Sequence, residues 1–391
     1  MDAVCHRSEG DVVEKRLTVW QAACIIAGYG VGSGVMTLPY LVDRAGLVPG
    51  LLILGVAFFF SYCMHLMLAE ITLGSGKGSQ IISVFRTYLF RGPRGNVFVG
   101  MLFVLTALVL ITNLAAYVAG GAEIFEAAGF PPLAATLLFY AIAAVIVLFG
   151  LKVLGVSEAL SISVILGIVA VLAVASVLSW RNPLPWGVIG QPNELLAFFG
   201  MAMFSFVAFF SVPQAVEGLG RDPVRVRRAV LLGLGINLLF SVVIVLCALG
   251  SSARVTELGI IGWSEGIGLW AQVLGSAFTV LAMLTTYWSI SLALSDIVQE
   301  QTGLHRRACW AIATLPSLIL VLLNLGGFLA IMRTAGGLIA ILMAVMVVPA
   351  FRRCRRANGR ILLPDALAST PMQVIVLAAF LLMAVGSAVS L

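Results

Sequence analysis

A chain of 391 residues in which 61% are hydrophobic and only 10% charged cannot be an ordinary soluble domain, where charged residues make up about 25%. With a mean hydropathy of +1.11 it is expected to be an all-α integral membrane protein, and its net charge of +6 is assigned to cationic loops beside a lipid bilayer, not to nucleic acid. The six cysteines stand singly, without a CxxC pair or a histidine at ligand spacing, so neither a disulfide framework nor a metal cluster is indicated.

Residues 1–16 read as a short cytoplasmic tail, and 17–391 as one transmembrane transporter domain. Apolar runs long enough for a hydrocarbon core of about 30 Å number about eleven. They lie near Leu17 to Tyr40, Leu47 to Leu73, Val97 to Ala127, Leu133 to Gly150, Ser157 to Ser179, Leu195 to Gly218, Val226 to Gly250, Gly266 to Val298, Ala308 to Leu323, Gly326 to Phe351 and Met372 to Leu391. The first is too long for a signal-peptide core and is expected to remain as a span. With a cytoplasmic N-terminus, every basic residue except Arg44, Arg181, Arg254 and Arg333 falls on the inner side. That bias supports the count, a plasma or bacterial inner membrane, and an external C-terminus. The basic clusters at 225–228 and 352–356 abut helix ends, where anionic lipid headgroups lie.

Span one contains Gly28, Gly30, Gly32 and Gly34, with Ser33 between two of them and Pro39 beyond. Unwound backbone within a bilayer is tolerated only where protein or a polar cavity surrounds it, so this run predicts a broken helix at a binding site. Two alternatives stand beside that reading. Glycines four apart also let helices pack closely, and a nucleotide-binding loop would need a preceding strand, which is not visible.

Span six carries Ser205, Ser211, Pro213, Gln214 and Glu217 in its inner half, and Pro213 is expected to free a carbonyl near Phe209. Two breaks at corresponding positions five spans apart imply a 5+5 inverted repeat. The copies would be about 17–180 and 195–351, with an extra C-terminal helix at about 372–391. Half-helix ends offer both partial charges, as the zwitterion of an amino acid requires. Its carboxylate is placed on amides around Ser33, Gly34 and Val35, and its ammonium on carbonyls near Tyr29 and in Phe206 to Phe209, which includes Val207. Phe204, Phe206, Phe209 and Phe210 would enclose an apolar side chain, or face neighbouring helices.

The Gly-x-Gly-Ser-Gly-Val-Met-x-Leu-Pro-Tyr run of span one resembles the amino acid/auxin permease family of the amino acid–polyamine–organocation superfamily. The segments Leu114 to Gly121 and Leu284 to Asp296 are similar to bacterial aromatic and hydroxy amino acid permeases, and Glu217 followed by Arg221-Asp-Pro resembles an acidic helix end and turn found across the superfamily. This resemblance implies eleven spans with an inner N-terminus, and places Tyr117 in the cavity wall. It departs in two places: 207–211 lacks a glycine, and span five carries no internal lysine, Lys152 being read as a solvated loop charge at its entrance.

The hydroxyls of Thr285 and Thr286, near Ser289, suit a hard cation. The resemblance implies a sodium site completed by the carbonyls of Ala27 and Gly30, with a proton as the rival coupling ion and no other cofactor. Threonines in membrane helices equally bond their own carbonyls. Glu70, Glu217 and Asp296 lie near inner helix ends, as gates or packing partners of loop arginines. His65 is either titratable or held by hydrogen bonds, and Asn113 and Gln272 are further polar candidates. No nucleophile and base stand at interpretable spacing, so an enzyme is not expected. The leading function is a symporter of neutral amino acids, with aromatic ones among the candidates, driven by a sodium or proton gradient and working by alternating access; a channel and a non-transporting amino-acid receptor are the alternatives, and oligomeric state is left open.

Overall fold

The computed structural model describes residues 16–32, 34–76, 78–90, 92, 94–256, 259–323 and 328–389, with side chains of the last stretch from 336 onward. Every regular element among them is helical. Span one is α1 (Val19–Val31), a 3-10 turn (Val35–Thr37) and α2 (Leu38–Ala45), bent by 51° at the break. Span two is α3 (Leu47–Gly74), followed by a short helix α4 (Ile81–Leu89). Spans three, four and five are α5 (Gly95–Ala127), α6 (Pro132–Val147) and α7 (Leu151–Leu178). Span six is split into α8 (Pro192–Ser205) and α9 (Ser211–Gly218). Span seven is α10 (Pro223–Ser251), followed by a short α11 (Gly259–Ile267). Spans eight to eleven are α12 (Leu269–Thr302), α13 (Arg306–Leu322), α14 (Phe328–Asn358) and α15 (Thr370–Ala388).

Seven of these helices are individually long and apolar enough to cross a membrane, and the bent α1–α2 pair makes an eighth. The split span six and the shorter α6 and α13 complete the expected order. Local chemistry sets several starts. Thr18 and Gln21 form a reciprocal capping box ahead of α1. Asp222 accepts from the amides of Val224 and Arg225 at 2.9 and 3.2 Å, with Pro223 as the first helical residue of α10. The outer shell carries side chains such as Leu52, Leu160 and Val174, each about two-thirds exposed yet apolar. Water would not favour such a surface, and it suits a multi-pass membrane protein.

The two broken spans run antiparallel. At the basic face the Leu17 amide donates to the Gly218 carbonyl at 2.7 Å, joining the start of α1 to the end of α9. At the opposite face the Gly190 amide donates to the Ala45 carbonyl at 3.0 Å, joining the end of α2 to the approach to α8. The repeat extends further. A short helix separates spans two and three, and another separates spans seven and eight. The first, α4, is tied at its end to Arg353 of span ten, which donates to the Tyr88 carbonyl at 2.8 Å. The second, α11, is tied through Trp263, whose indole N–H donates to Ser176 at the far end of span five. One therefore lies on the basic face and the other opposite it, as inversion requires.

A candidate substrate site at two broken helices

Span one is surrounded on all sides, and its four glycines mark where the neighbours come closest. A Cβ on residue 28 would strike the Glu158 carboxyl of span five, and one on residue 30 the Asn237 amide of span seven and, at 2.7 Å, the Ser205 carbonyl. On residue 32 it would meet Thr286 and, at 2.5 Å, the Ala282 carbonyl of span eight; on residue 34, the Ser205 amide at 2.8 Å. The distribution of glycines over both faces of the helix thus does not argue against packing: a central helix is packed on every face. The break is also present. α1 stops at Val31, and the chain turns through Gly34 and Val35, with the Thr37 hydroxyl and amide both donating to the Gly34 carbonyl at 3.0 and 3.1 Å. Ser33 lies outside the described residues.

The second break spans residues 206–210, with no glycine in it. Its support comes from span two. The Ala208 amide donates to Nε2 of His65 at 3.1 Å, while Nδ1 lies 2.7 Å from the Ser61 carbonyl. A backbone amide can only donate, so Nε2 is the acceptor and Nδ1 carries the proton: the imidazole is neutral, and it bridges span two to the break. Pro213 sits in the first turn of α9, where its missing N–H costs nothing. The carbonyl expected to be free at Phe209 instead accepts from the Val212 amide at 3.2 Å, and that of Ala208 accepts from Ser211. Among the described hydrogen bonds the Phe206 and Val207 carbonyls have no partner.

The aromatic residues divide. Phe204 packs on Gly336 of span ten, Phe206 lies edge-on to Phe58 of span two at 5.9 Å, and Phe209 stacks on His65 at 4.3 Å and touches Phe380 of span eleven. These three face neighbouring helices. Phe210 instead lies parallel to Tyr29 at 6.5 Å. Tyr29 and Phe210 therefore meet beside the two breaks, and Tyr117 is buried within span three. All three are buried, so the site is closed to solvent in this conformation. Around it, the Tyr29 hydroxyl, both ends of the Asn237 amide and the Asn113 carbonyl oxygen lack hydrogen-bond partners, although buried polar groups are nearly always paired.

The hydroxyls that the resemblance assigns to a sodium site on span eight are hydrogen-bonded to backbone carbonyls. Thr286 donates to the Gly28 carbonyl at 2.8 Å and to Ala282 at 3.0 Å; Thr285 donates to Ala282 at 2.9 Å. The oxygen they meet belongs to Gly28, not to Ala27 or Gly30. One turn along, Ser289 donates at 2.7 Å to Oε1 of Glu158, which is fully buried and whose Oε2 has no partner.

Glu158 is absent from the residues singled out by sequence because span five was expected to begin at Ser157. The helix begins at Leu151, which moves Glu158 inward by about 9 Å. An acidic residue in an apolar helix is itself the signal that would have found it. Lys152 is exposed in the first helical turn, not in a loop. Glu217 pairs with Arg221, which also donates to the Thr72, Leu73 and Ser75 carbonyls at the end of span two, so this pair ties span six to span two. Glu217, Asp296, Gln214, Leu292 and Arg306 line a cavity of about 490 Å³ that opens on the basic face. Glu70 lies away from both breaks. It pairs with Arg355 at 2.7 Å and accepts from the Leu362 and Leu363 amides, so it anchors the link between spans ten and eleven as a packing partner of a loop arginine.

Two interrupted helices crossing at mid-span, with unpaired carbonyls and buried aromatic side chains around them, define a membrane transporter and not an enzyme. The architecture matches Mhp1, a nucleobase-cation-symport-1 family transporter described in a closed conformation with bromovinylhydantoin bound, at a TM-score of 0.69 and 15% identity over 95% of this chain and 92% of that one. It matches MhsT in complex with L-phenylalanine equally well, at 0.69 and 14% identity over 94% and 98%. The chain belongs to the tryptophan/tyrosine permease family, whose pattern it matches over residues 15–386. It is also 25% identical, over 303 residues covering 74% of this chain and 71% of that protein, to a tryptophan-specific transport protein of Pseudomonas aeruginosa (strain UCBPP-PA14).

Proposed function

We propose that this permease is a secondary active symporter of neutral aromatic amino acids, working by alternating access, with its arginine-rich face in the cytoplasm and its C-terminus outside. The observation that carries the reading is the crossing of the two breaks: Gly30 and Gly34 lie against Ser205, and Tyr29 lies against Phe210. The amides after Gly32, including those of Gly34 and Val35, receive the substrate carboxylate, and the Phe206 and Val207 carbonyls receive its ammonium. Tyr29, Phe210 and Tyr117 enclose its ring. Residues 17–180 and 195–351 act as the two inverted copies, with α15 added outside them, and the family falls within the wider amino acid–polyamine–organocation superfamily. In the state described here the site is closed, and the cavity beside Glu217 and Asp296 is the start of the inner exit.

Exchange of labelled L-tryptophan, L-tyrosine and L-phenylalanine across proteoliposomes of the purified protein tests this. Saturable exchange of at least one is expected. Binding without flux would make the protein a receptor, and flux far above carrier rates would make it a channel.

A further inference from the structure

One ionisable group in the membrane interior plays no part in holding the substrate. Glu158 projects from span five into the packing between spans one and eight. Its side chain is fully buried, its Oε1 accepts one neutral hydrogen bond from Ser289 at 2.7 Å, and its Oε2 has no partner and lies where a Cβ on Gly28 would be. A carboxylate so placed would be a buried charge with a single hydroxyl to support it, which is strongly unfavourable; the neutral acid fits.

The groups around it offer no counter-charge. Span one brings Gly28 against it, with Cys24 one turn earlier, and span eight brings Ser289. Span four contributes only Tyr140, which donates to Thr314 of span nine. The described charged residues of the other packed elements lie at the membrane faces: Arg225, Arg227 and Arg228 at the inner end of span seven, Glu217 on α9, Asp296 and Glu300 at the inner end of span eight, and Glu265 on α11. None of them forms an ion pair with Glu158 among the described residues.

We propose that Glu158 is the proton-binding site of the transport cycle. This rests on the transporter reading above and specifies its coupling ion. The carboxylate takes one proton from the outer side, becomes the neutral acid, and so allows span one to seat against span five at Gly28, as seen here. In the inward-open state the acid returns that proton to water on the basic side and becomes a carboxylate again, with no other bond made or broken. The exit is laid out along span eight: Ser289, Leu292 and Asp296 stand at i, i+3 and i+7 on one helical face, and the last two line the inner cavity. Because Gly28 is one turn before the break, the same contact that requires the proton also positions the substrate-binding segment.

The test uses the full-length protein in proteoliposomes with a pH-sensitive dye in the lumen and L-tryptophan, L-tyrosine and L-phenylalanine as probes. In the wild type, a transported amino acid added outside should acidify the lumen, and an inward proton gradient should drive accumulation. In E158Q the ratio of proton-driven accumulation to exchange should fall to background and substrate-linked acidification should vanish, while E158D, which restores a titratable carboxyl, should regain part of both. Acidification by E158Q at the wild-type rate would overturn the proposal. So would wild-type accumulation under a sodium gradient without acidification, a measurement that needs no variant to fold. Wild-type exchange is the control that separates the two levels: exchange without acidification removes this proposal alone, whereas no exchange of any of the three removes the transporter reading and this proposal with it.

Discussion

The second break exists without glycine because His65 supports it, and this dependence can be measured. In His65→Leu the Ala208 amide would lose its acceptor in a fully buried setting, which costs about 1–3 kcal/mol. The ring contact with Phe209 at 4.3 Å would be lost as well, about 0.5–1.5 kcal/mol more. The sum, about 1.5–4.5 kcal/mol, falls on the segment that presents the Phe206 and Val207 carbonyls. If that segment reorders, tryptophan affinity should weaken by about tenfold or more, since each 1.4 kcal/mol is a factor of ten. His65→Gln, whose side-chain carbonyl can accept from the same amide, should recover part of the loss. Calorimetric binding of tryptophan, read beside thermal unfolding in detergent, gives both quantities. Wild-type affinity and melting in His65→Leu would show that the break is set by its own sequence, and the reasoning would fail.

Other perturbations separate the roles assigned above. Gly32→Leu should abolish binding, because its Cβ would fall 2.5 Å from the Ala282 carbonyl; binding close to wild type in an inserted protein would leave these glycines as packing residues only. Phe210→Ala should weaken binding of aromatic substrates by about 0.5–1.5 kcal/mol, whereas Phe206→Ala, packed on Phe58, should lower stability by about 3–5 kcal/mol; the reverse pattern would contradict the division of the rings. Arg355→Ala strands the buried Glu70 carboxylate and should cost about 3–5 kcal/mol of stability, read as a lower unfolding temperature with the link at 361–363 more open to proteolysis. Because the proposed coupling ion is a proton bound at Glu158, replacing sodium by potassium should leave uptake unchanged, and dependence on sodium would return the coupling role to an ion at the Thr285 and Thr286 hydroxyls.

Hydropathy and the placement of basic loops made the order of spans legible, and the glycine run and Pro213 the two breaks, because all of these are local properties of sequence. What escaped was long-range. The support for the second break stands 143 residues from it, at His65, so the missing glycine at 207–211 looked like a defect. Glu158 was hidden by a boundary error of less than two turns, which put an interior carboxyl at the membrane surface. Helices α4 and α11 are nine residues each, too short to span and hence invisible to a search for apolar runs, yet they carry much of the evidence for inversion. The rotation of each helix decided the rest: of four phenylalanines near the second break, only Phe210 turns toward Tyr29.

The most direct test of the account is concentrative uptake of L-tryptophan, L-tyrosine and L-phenylalanine by the purified protein in proteoliposomes under an imposed inward proton gradient. Accumulation of at least one above its external concentration, collapsed by a protonophore and lost in Gly32→Leu, is the predicted result. Equilibration without accumulation under both proton and sodium gradients would contradict it.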